Sequence, residues 1–206
     1  RRQRQMCIRD SHTANDTQAD GLTHSSIWCI VKDNQGTLWL GTYFGGVNYF
    51  NPEYEIYTRY SYSSNEKKGL SNPVVGRTIE DKDGNLWIGT EGGGLNYYNR
   101  RTREFKWYRP QEGRNSISHN NVKALYYDAD KEIIWIGTHL GGLNKLDIRS
   151  GHFTHYRMEE GNPNTLPSDI IRDIIPYKSL LIIATQNGVC LFDPANGQCQ
   201  QLFKDS

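Results

Sequence analysis

The chain has 206 residues, of which 36% are hydrophobic, 12% aromatic and 23% charged, with 20 glycines and a formal net charge of +1. That length suits one domain with a sizeable core, and near-neutrality excludes a global field that would gather nucleic acid or an anionic membrane. No stretch approaches the roughly 18 consecutive apolar residues of a membrane helix, and the start lacks the apolar segment of a secretory leader.

Residues 1–11 are basic, aperiodic and without counterpart later in the chain. Read plainly, such a segment is a basic arm for nucleic acid or a solvated tail. Arg4 to Ser11 resembles instead the translated sequencing adapter found at the ends of metagenomic reading frames, so residues 1–11 are expected to be non-native. Without their four arginines and one aspartate the net charge becomes −2, and the natural beginning of the protein is expected to lie upstream.

Beyond this tail the sequence repeats. Trp39-Leu40-Gly41-Thr42, Trp87-Ile88-Gly89-Thr90 and Trp135-Ile136-Gly137-Thr138 recur at intervals of 48 residues, and a degenerate copy, Ile182-Ile183-Ala184-Thr185, follows 47 residues later. Leu22, Leu70, Ile117 and Leu166 open the units, each followed five residues on by Ile27, Val75, Val122 or Ile171. A Gly-Gly-apolar step recurs at Gly45-Gly46-Val47, Gly93-Gly94-Leu95 and Gly141-Gly142-Leu143, reduced to Asn187-Gly188-Val189. Each unit closes on Tyr57/Tyr60, Phe105/Tyr108, Phe153/Tyr156 or the weaker Cys199/Leu202. Internal repetition of this length specifies a stacked or radial architecture.

Within a unit the periodicity is that of strands, with no helical pattern. In the second copy strands are expected over Val75–Glu80, Asn85–Thr90, Gly94–Asn99 and Glu104–Tyr108. Asp33-Asn34-Gln35-Gly36 and Asp81-Lys82-Asp83-Gly84 supply the Asp and Gly of tight hairpins. Asn51-Pro52, Ser150-Gly151 and Asp193-Pro194-Ala195-Asn196-Gly197 mark the later turn. Leu38-Trp39-Leu40, Leu86-Trp87-Ile88 and Ile134-Trp135-Ile136 are apolar on both faces, as in a strand held between two layers. Burying one such Trp removes roughly 150–250 Å² from water, worth at most about 4–6 kcal/mol. One sheet cannot bury both faces by itself, so the stack is the unit of stability. The fold is therefore expected to be all-β: a β-propeller of four four-stranded blades over 21–60, 69–108, 116–156 and 165–203. Residues 12–20 are expected to form an inter-blade loop. Ile182 and Ala184 predict a looser or differently packed fourth blade.

Local chemistry is sparse. Gly89-Thr90-Glu91-Gly92-Gly93-Gly94 has neither the Gly-Lys-Ser/Thr nor the helix that a phosphate loop requires. Asp81-Lys82-Asp83-Gly84-Asn85 lacks the spacing of a calcium loop, and Gly92 stands where the twelfth-position acid would be. It differs from a sialidase-type Asp box at Lys82, and a hairpin turn accounts for it. His24 and His119 share one repeat position with Asn72 and Ser168, which argues for a polar turn role. His152 and His155 fall on opposite faces of an outer strand, too few and too divergent for zinc. No metal, cofactor or catalytic residue is expected, although carboxylates on different blades can meet in space without any local motif. The cysteines, Cys7, Cys29, Cys190 and Cys199, form no CxxC. Cys190 and Cys199 are expected to lie diagonally across a hairpin, a poor geometry for a bridge.

Loops on a rigid scaffold carry most function. Those after each Gly-Thr differ most between units: Tyr43-Phe44, Glu91-Gly92, His139-Leu140 and Gln186-Asn187. They are expected on the same face as the inter-blade loops 61–69, 109–116 and 157–165. Tyr43, Phe44, Glu91, His139 and Gln186 are thus the candidate ligand-binding residues, suited to stacking on a sugar ring and hydrogen bonding its hydroxyls. Ordinary solvated loop variation is the competing account. Trp39, Gly41, Thr42, Trp87, Gly89, Thr90, Trp135, Gly137 and Thr138 are structural.

The run Leu70-Ser71-Asn72-Pro73-Val74-Val75, with Glu80-Asp81-Lys82-Asp83-Gly84-Asn85-Leu86-Trp87-Ile88-Gly89-Thr90 and Gly93-Gly94-Leu95-Asn96-Tyr97-Tyr98, resembles the two-component-regulator propeller repeat. Gly161-Asn162-Pro163-Asn164-Thr165-Leu166-Pro167-Ser168 resembles that family's linker between blades. The resemblance implies a fragment of a seven-bladed ring, commonly one of two in tandem, in the periplasmic part of an inner-membrane hybrid sensor histidine kinase. It also implies a response to glycan breakdown products that controls polysaccharide-use genes. The expected partners are an oligosaccharide, the remaining blades of the same chain and a second copy of the full-length sensor, with no direct nucleic-acid binding. The fragment itself is not expected to be an enzyme. The alternatives are a secreted propeller glycoside hydrolase or lyase, and a structural or dimerisation propeller.

Overall fold

The computed structural model describes residues 21–51 and 56–202. The expectations for residues 1–20, Pro52 and residue 203 lie outside the described residues, as does the side chain of Tyr57. Four antiparallel four-stranded sheets follow one another, each with its strands paired in chain order. The first holds β1 (Ile27–Lys32), β2 (Leu38–Thr42), β3 (Val47–Asn51) and β4 (Ile56–Tyr60). The second holds β5 (Val75–Glu80), β6 (Leu86–Thr90), β7 (Leu95–Asn99) and β8 (Glu104–Tyr108). The third holds β9 (Val122–Asp128), β10 (Ile133–Thr138), β11 (Leu143–Asp147) and β12 (Phe153–Tyr156). The fourth holds β13 (Ile171–Tyr177), β14 (Leu180–Thr185), β15 (Gly188–Phe192) and β16 (Cys199–Gln201). The second blade matches the sequence expectation except that β6 and β7 begin one residue later. Asn85 belongs to the preceding turn, where its carbonyl accepts from Asp81 N–H at 2.9 Å.

The repeat residues each have a mechanical task. Trp39, Trp87 and Trp135 are no more than 2% exposed. Each packs into a cluster with the following blade: Trp39 with Val75 and Leu86, Trp87 with Val122 and Leu125, Trp135 with Ile171 and Ile174. The glycine two residues later lets the next inner strand approach. A Cβ on Gly41, Gly89 or Gly137 would lie 2.7, 2.6 or 2.5 Å from Val75, Val122 or Ile171. The threonine then closes the turn into the third strand: the hydroxyls of Thr42, Thr90 and Thr138 donate to the carbonyls of Gly46, Gly94 and Gly142 at 2.9 Å. The N–H groups of those glycines donate to Pro73, Asn120 and Asp169 at the entry to the next blade, so one turn fastens two blades.

A second fastening also recurs every 48 residues. The buried carboxamides of Asn48, Asn96 and Asn144 accept from the backbone N–H of Thr23, Ser71 and Ser118, at 3.0, 2.8 and 2.9 Å. Each also donates to the hydroxyl of that same residue. Four polar atoms at each latch are thereby paired without water. Blade 4 lacks this latch, because Pro167 stands at the Ser position and Cys190 at the Asn position. Every residue of β6 and β10 is buried, whereas β14 alternates between partly buried and buried. The alternation in β14 is that of a blade with one face uncovered, and the absent latch is the difference that belongs to the fourth blade's own sequence.

Cys190 and Cys199 stand as the hairpin spacing predicts, diagonal and unbridged: Cys190 faces Gln201 and Phe192 faces Cys199. Their Sγ atoms are nevertheless 3.1 Å apart as free thiols, because both side chains point to the same buried side of the blade.

The four blades form an arc whose two outer faces are partly open. Ile30 is 63% exposed, while its counterparts Thr78, Leu125 and Ile174 are buried against the preceding blade. At the other side Ile175 is 51% exposed, although its counterparts Val31, Ile79 and Tyr126 pack against a following blade.

Candidate functional site

Each inner strand has a register shift beside its second residue, placing bulges at Trp28, Gly76, Lys123 and Arg172. A bulge breaks the alternation of side chains and re-aims one of them. The residue after each Thr is tied down beside that bulge. Backbone N–H groups of Tyr43, Glu91, His139 and Gln186 donate to the carbonyls of Ser26, Val74, Asn121 and Ile170 at 2.9–3.1 Å. The four candidate positions are therefore equivalent in space as well as in sequence, and they lie on the face that carries the inter-blade segments.

Three of the candidate side chains meet a bulge residue. Tyr43 stacks on Trp28 with ring centroids 4.8 Å apart, Glu91 forms an ion pair with Lys123 of the next blade, and Gln186 accepts from Arg172 at 3.2 Å. In blade 2 the bulge residue is Gly76, which offers no side chain, so Glu91 crosses the seam. His139 instead faces His119, with ring centroids 6.4 Å apart, and its Nδ1 is buried without a hydrogen-bond partner. The structure brings Tyr43 and Phe44 together at 4.4 Å, edge to face. Glu91, His139 and Gln186 make no such contact with one another: Glu91 pairs across the seam to blade 3, His139 faces His119, and Gln186 pairs within blade 4. A groove of about 980 Å³ joins Gln186 and Asn187 to the inter-blade segment through Met158, Asn162 and Leu166.

The most conspicuous surface is on blade 1. Trp28, Tyr43 and Phe44 are 45%, 37% and 57% exposed, and the His24 ring lies edge-on to both Tyr43 and Phe44. Contiguous exposed aromatics on an ordered scaffold mark contact surfaces. Trp28, Lys123 and Arg172 did not emerge from the sequence as site residues. The available signal was their shared repeat position, which varies in chemical type as freely as the loop positions do.

The histidines at the unit openings have the turn role that their repeat position suggests. His24 Nδ1 accepts from Ser26 N–H and His119 Nδ1 from Asn121 N–H, both at 3.0 Å. Asn72 and Ser168 accept from Val74 and Ile170 in the same way. Such bonds need an unprotonated ring nitrogen. Desolvation lowers the pKa of His119, helped by His139 and Arg157. Among the described residues no group of three or more His, Cys, Asp or Glu is placed to hold a metal ion, and no helix is long and apolar enough to cross a membrane.

Residues 21–44, 69–92 and 116–139 match the family described as two component regulator propeller. An extracellular domain assigned to a hybrid two component system of B. thetaiotaomicron is 26% identical, with a TM-score of 0.75, over 86% of this chain and 24% of that one. An extracellular domain assigned to a one component system of the same organism is 24% identical with a TM-score of 0.71, over 86% of this chain and 25% of that one. PorZ, a surface component of the type-IX secretion system of Porphyromonas gingivalis, has 19% identity and a TM-score of 0.68 over 94% of this chain and 30% of its own; it shares the fold. The chain spans about a quarter of the length of the first two structures. No curated protein matches it.

Proposed function

From the premise that this chain belongs to the two-component-regulator propeller repeat family, we propose that it is the ligand-sensing segment of an extracytoplasmic sensor whose signal is an oligosaccharide. The observation that carries the sugar is the exposed Trp28–Tyr43–Phe44 surface on the loop face. Flat aromatic faces take up the C–H faces of a sugar ring, while the polar loop residues Glu91, His139 and Gln186 and the bulge residues Lys123 and Arg172 supply donors and acceptors for hydroxyls. The open faces at Ile30 and Ile175 support a larger ring in which further blades of the same protein cover both sides. Ligand bound across such a ring stabilises one arrangement of propellers or of sensor partners, and its differential affinity shifts the signalling equilibrium.

The test is a transcriptional reporter in cells carrying the full-length protein, challenged with a panel of glycan fragments. Induction by at least one fragment, abolished by Trp28→Ala with Tyr43→Ala, is expected. Absence of induction across the panel removes the sugar from the proposal. Induction that survives both substitutions moves ligand contact away from blade 1.

A further inference from the structure

Blade 4 departs from blades 2 and 3 at two buried places at once. The Asn of the side-chain latch becomes Cys190, with Pro167 replacing the residue it would hold. The buried outer-strand aromatic, Phe105 in blade 2 and Phe153 in blade 3, becomes Cys199. Cys190 and Cys199 are 0% and 3% exposed, in one cluster with Phe192 and Leu166, and their Sγ atoms are 3.1 Å apart. β16, with three residues, is the shortest strand among those described. We propose that Cys190 and Cys199 close into an intrachain disulfide that replaces the missing latch and pins β16 to β15.

Closure asks for about 1 Å of movement toward a bonded S–S distance. The chemistry is thiol–disulfide exchange with an external disulfide RSSR, such as oxidised glutathione or an oxidoreductase's disulfide. The Cys199 thiolate attacks one sulfur of RSSR and releases RS⁻, leaving a mixed disulfide on Cys199. The Cys190 thiolate then attacks the Cys199 sulfur and releases the second RS⁻. Two thiols are oxidised, RSSR is reduced to two RSH, and the cysteine protons end on the released thiolates. Cys199 is the point of entry because it is the less enclosed of the two, 3% exposed against 0%, and borders a cleft with Pro163, Asn164 and Gln198 that local opening of the short β16 would widen. The Cys190 thiol is held above its ordinary range by its hydrogen bond to Cys199 and by burial, and the first exchange removes that hydrogen-bond partner. Disulfides persist in oxidising compartments, which is where the extracellular relatives reside.

The test uses the whole chain, equilibrated with oxidised glutathione both folded and during refolding, then unfolded in an alkylating agent and digested with trypsin. One peptide, Ser179–Lys204, contains both cysteines. It is expected to be lighter by two hydrogens and free of alkylation, and to take two alkyl groups after reduction. Cys29 is expected to alkylate throughout. Alkylation of both thiols without prior reduction overturns the proposal, as does a glutathione adduct that stays on Cys199. The wild-type readout needs no variant; Cys199→Phe, which restores the residue of blades 2 and 3, is expected to leave Cys190 alkylatable.

Discussion

Asp33 is a carboxylate with no exposed side-chain surface, and it accepts from the Trp39 indole at 2.8 Å and from Arg100 at 2.7 Å. Burial opposes its charge, but the indole, the Thr37 N–H and Arg100 outweigh burial and hold its carboxyl below the usual range. Asp81 accepts from Trp87 at 3.1 Å in the next blade. In blade 3 the turn has Ala129 six residues before the Trp, and the indole N–H of Trp135 is buried without a partner. Three tryptophans that look alike in sequence are therefore energetically different. Trp39→Phe should cost about 1–3 kcal/mol more than Trp135→Phe in urea unfolding, because only the former strips a donor from a buried charge. Gly89→Ala should destabilise by about 1–3 kcal/mol, since its Cβ would meet Val122 in a packed seam. For His119 the sign is set by its lowered pKa. Its contribution is fully present above the unfolded value of about 6.5 and is lost as pH falls through the folded value. His119→Asn keeps an acceptor at the position where Asn72 works in blade 2, so it should lose less stability than wild type between pH 7.5 and 5. The Trp and Gly positions were legible in the sequence from their period; the missing partner of Trp135 was not, because it depends on a shift of one residue in a turn.

Blades differ in how completely their strands are enclosed. β6 and β10 lie between layers on both sides, β14 is enclosed on one side, and β16 is short and at the rim. Local opening follows enclosure, so hydrogen exchange should be slowest in peptides from β6 and β10 and faster in β14 and β16. Equal protection in all four blades would contradict the arc. Sequence reading captured these strands because double-sided apolarity is a local property. It passed over the Asn48–Asn96–Asn144 latch, although the 48-residue spacing was present, because a polar residue within a strand reads as solvated until its partner is known. The diagonal relation of the two thiols was legible from strand pairing, but their approach to 3.1 Å was not, because side-chain direction decides whether the sulfurs meet.

At the scale of the molecule, the loop face combines an exposed aromatic surface on blade 1 with paired polar groups on blades 2 to 4. The loop positions were legible in the sequence because their chemistry varies on an invariant frame; the bulge residues facing them were not, because a bulge has no fixed residue signature. As the proposed sensing surface, that face binds a sugar. Calorimetric titration of the intact extracellular region with an oligosaccharide panel measures this directly. Saturable binding by at least one fragment is expected, weakened tenfold or more, about 1.4 kcal/mol, by Tyr43→Ala with Phe44→Ala. Heats indistinguishable from dilution across the panel, or binding that both substitutions leave unchanged, would contradict it.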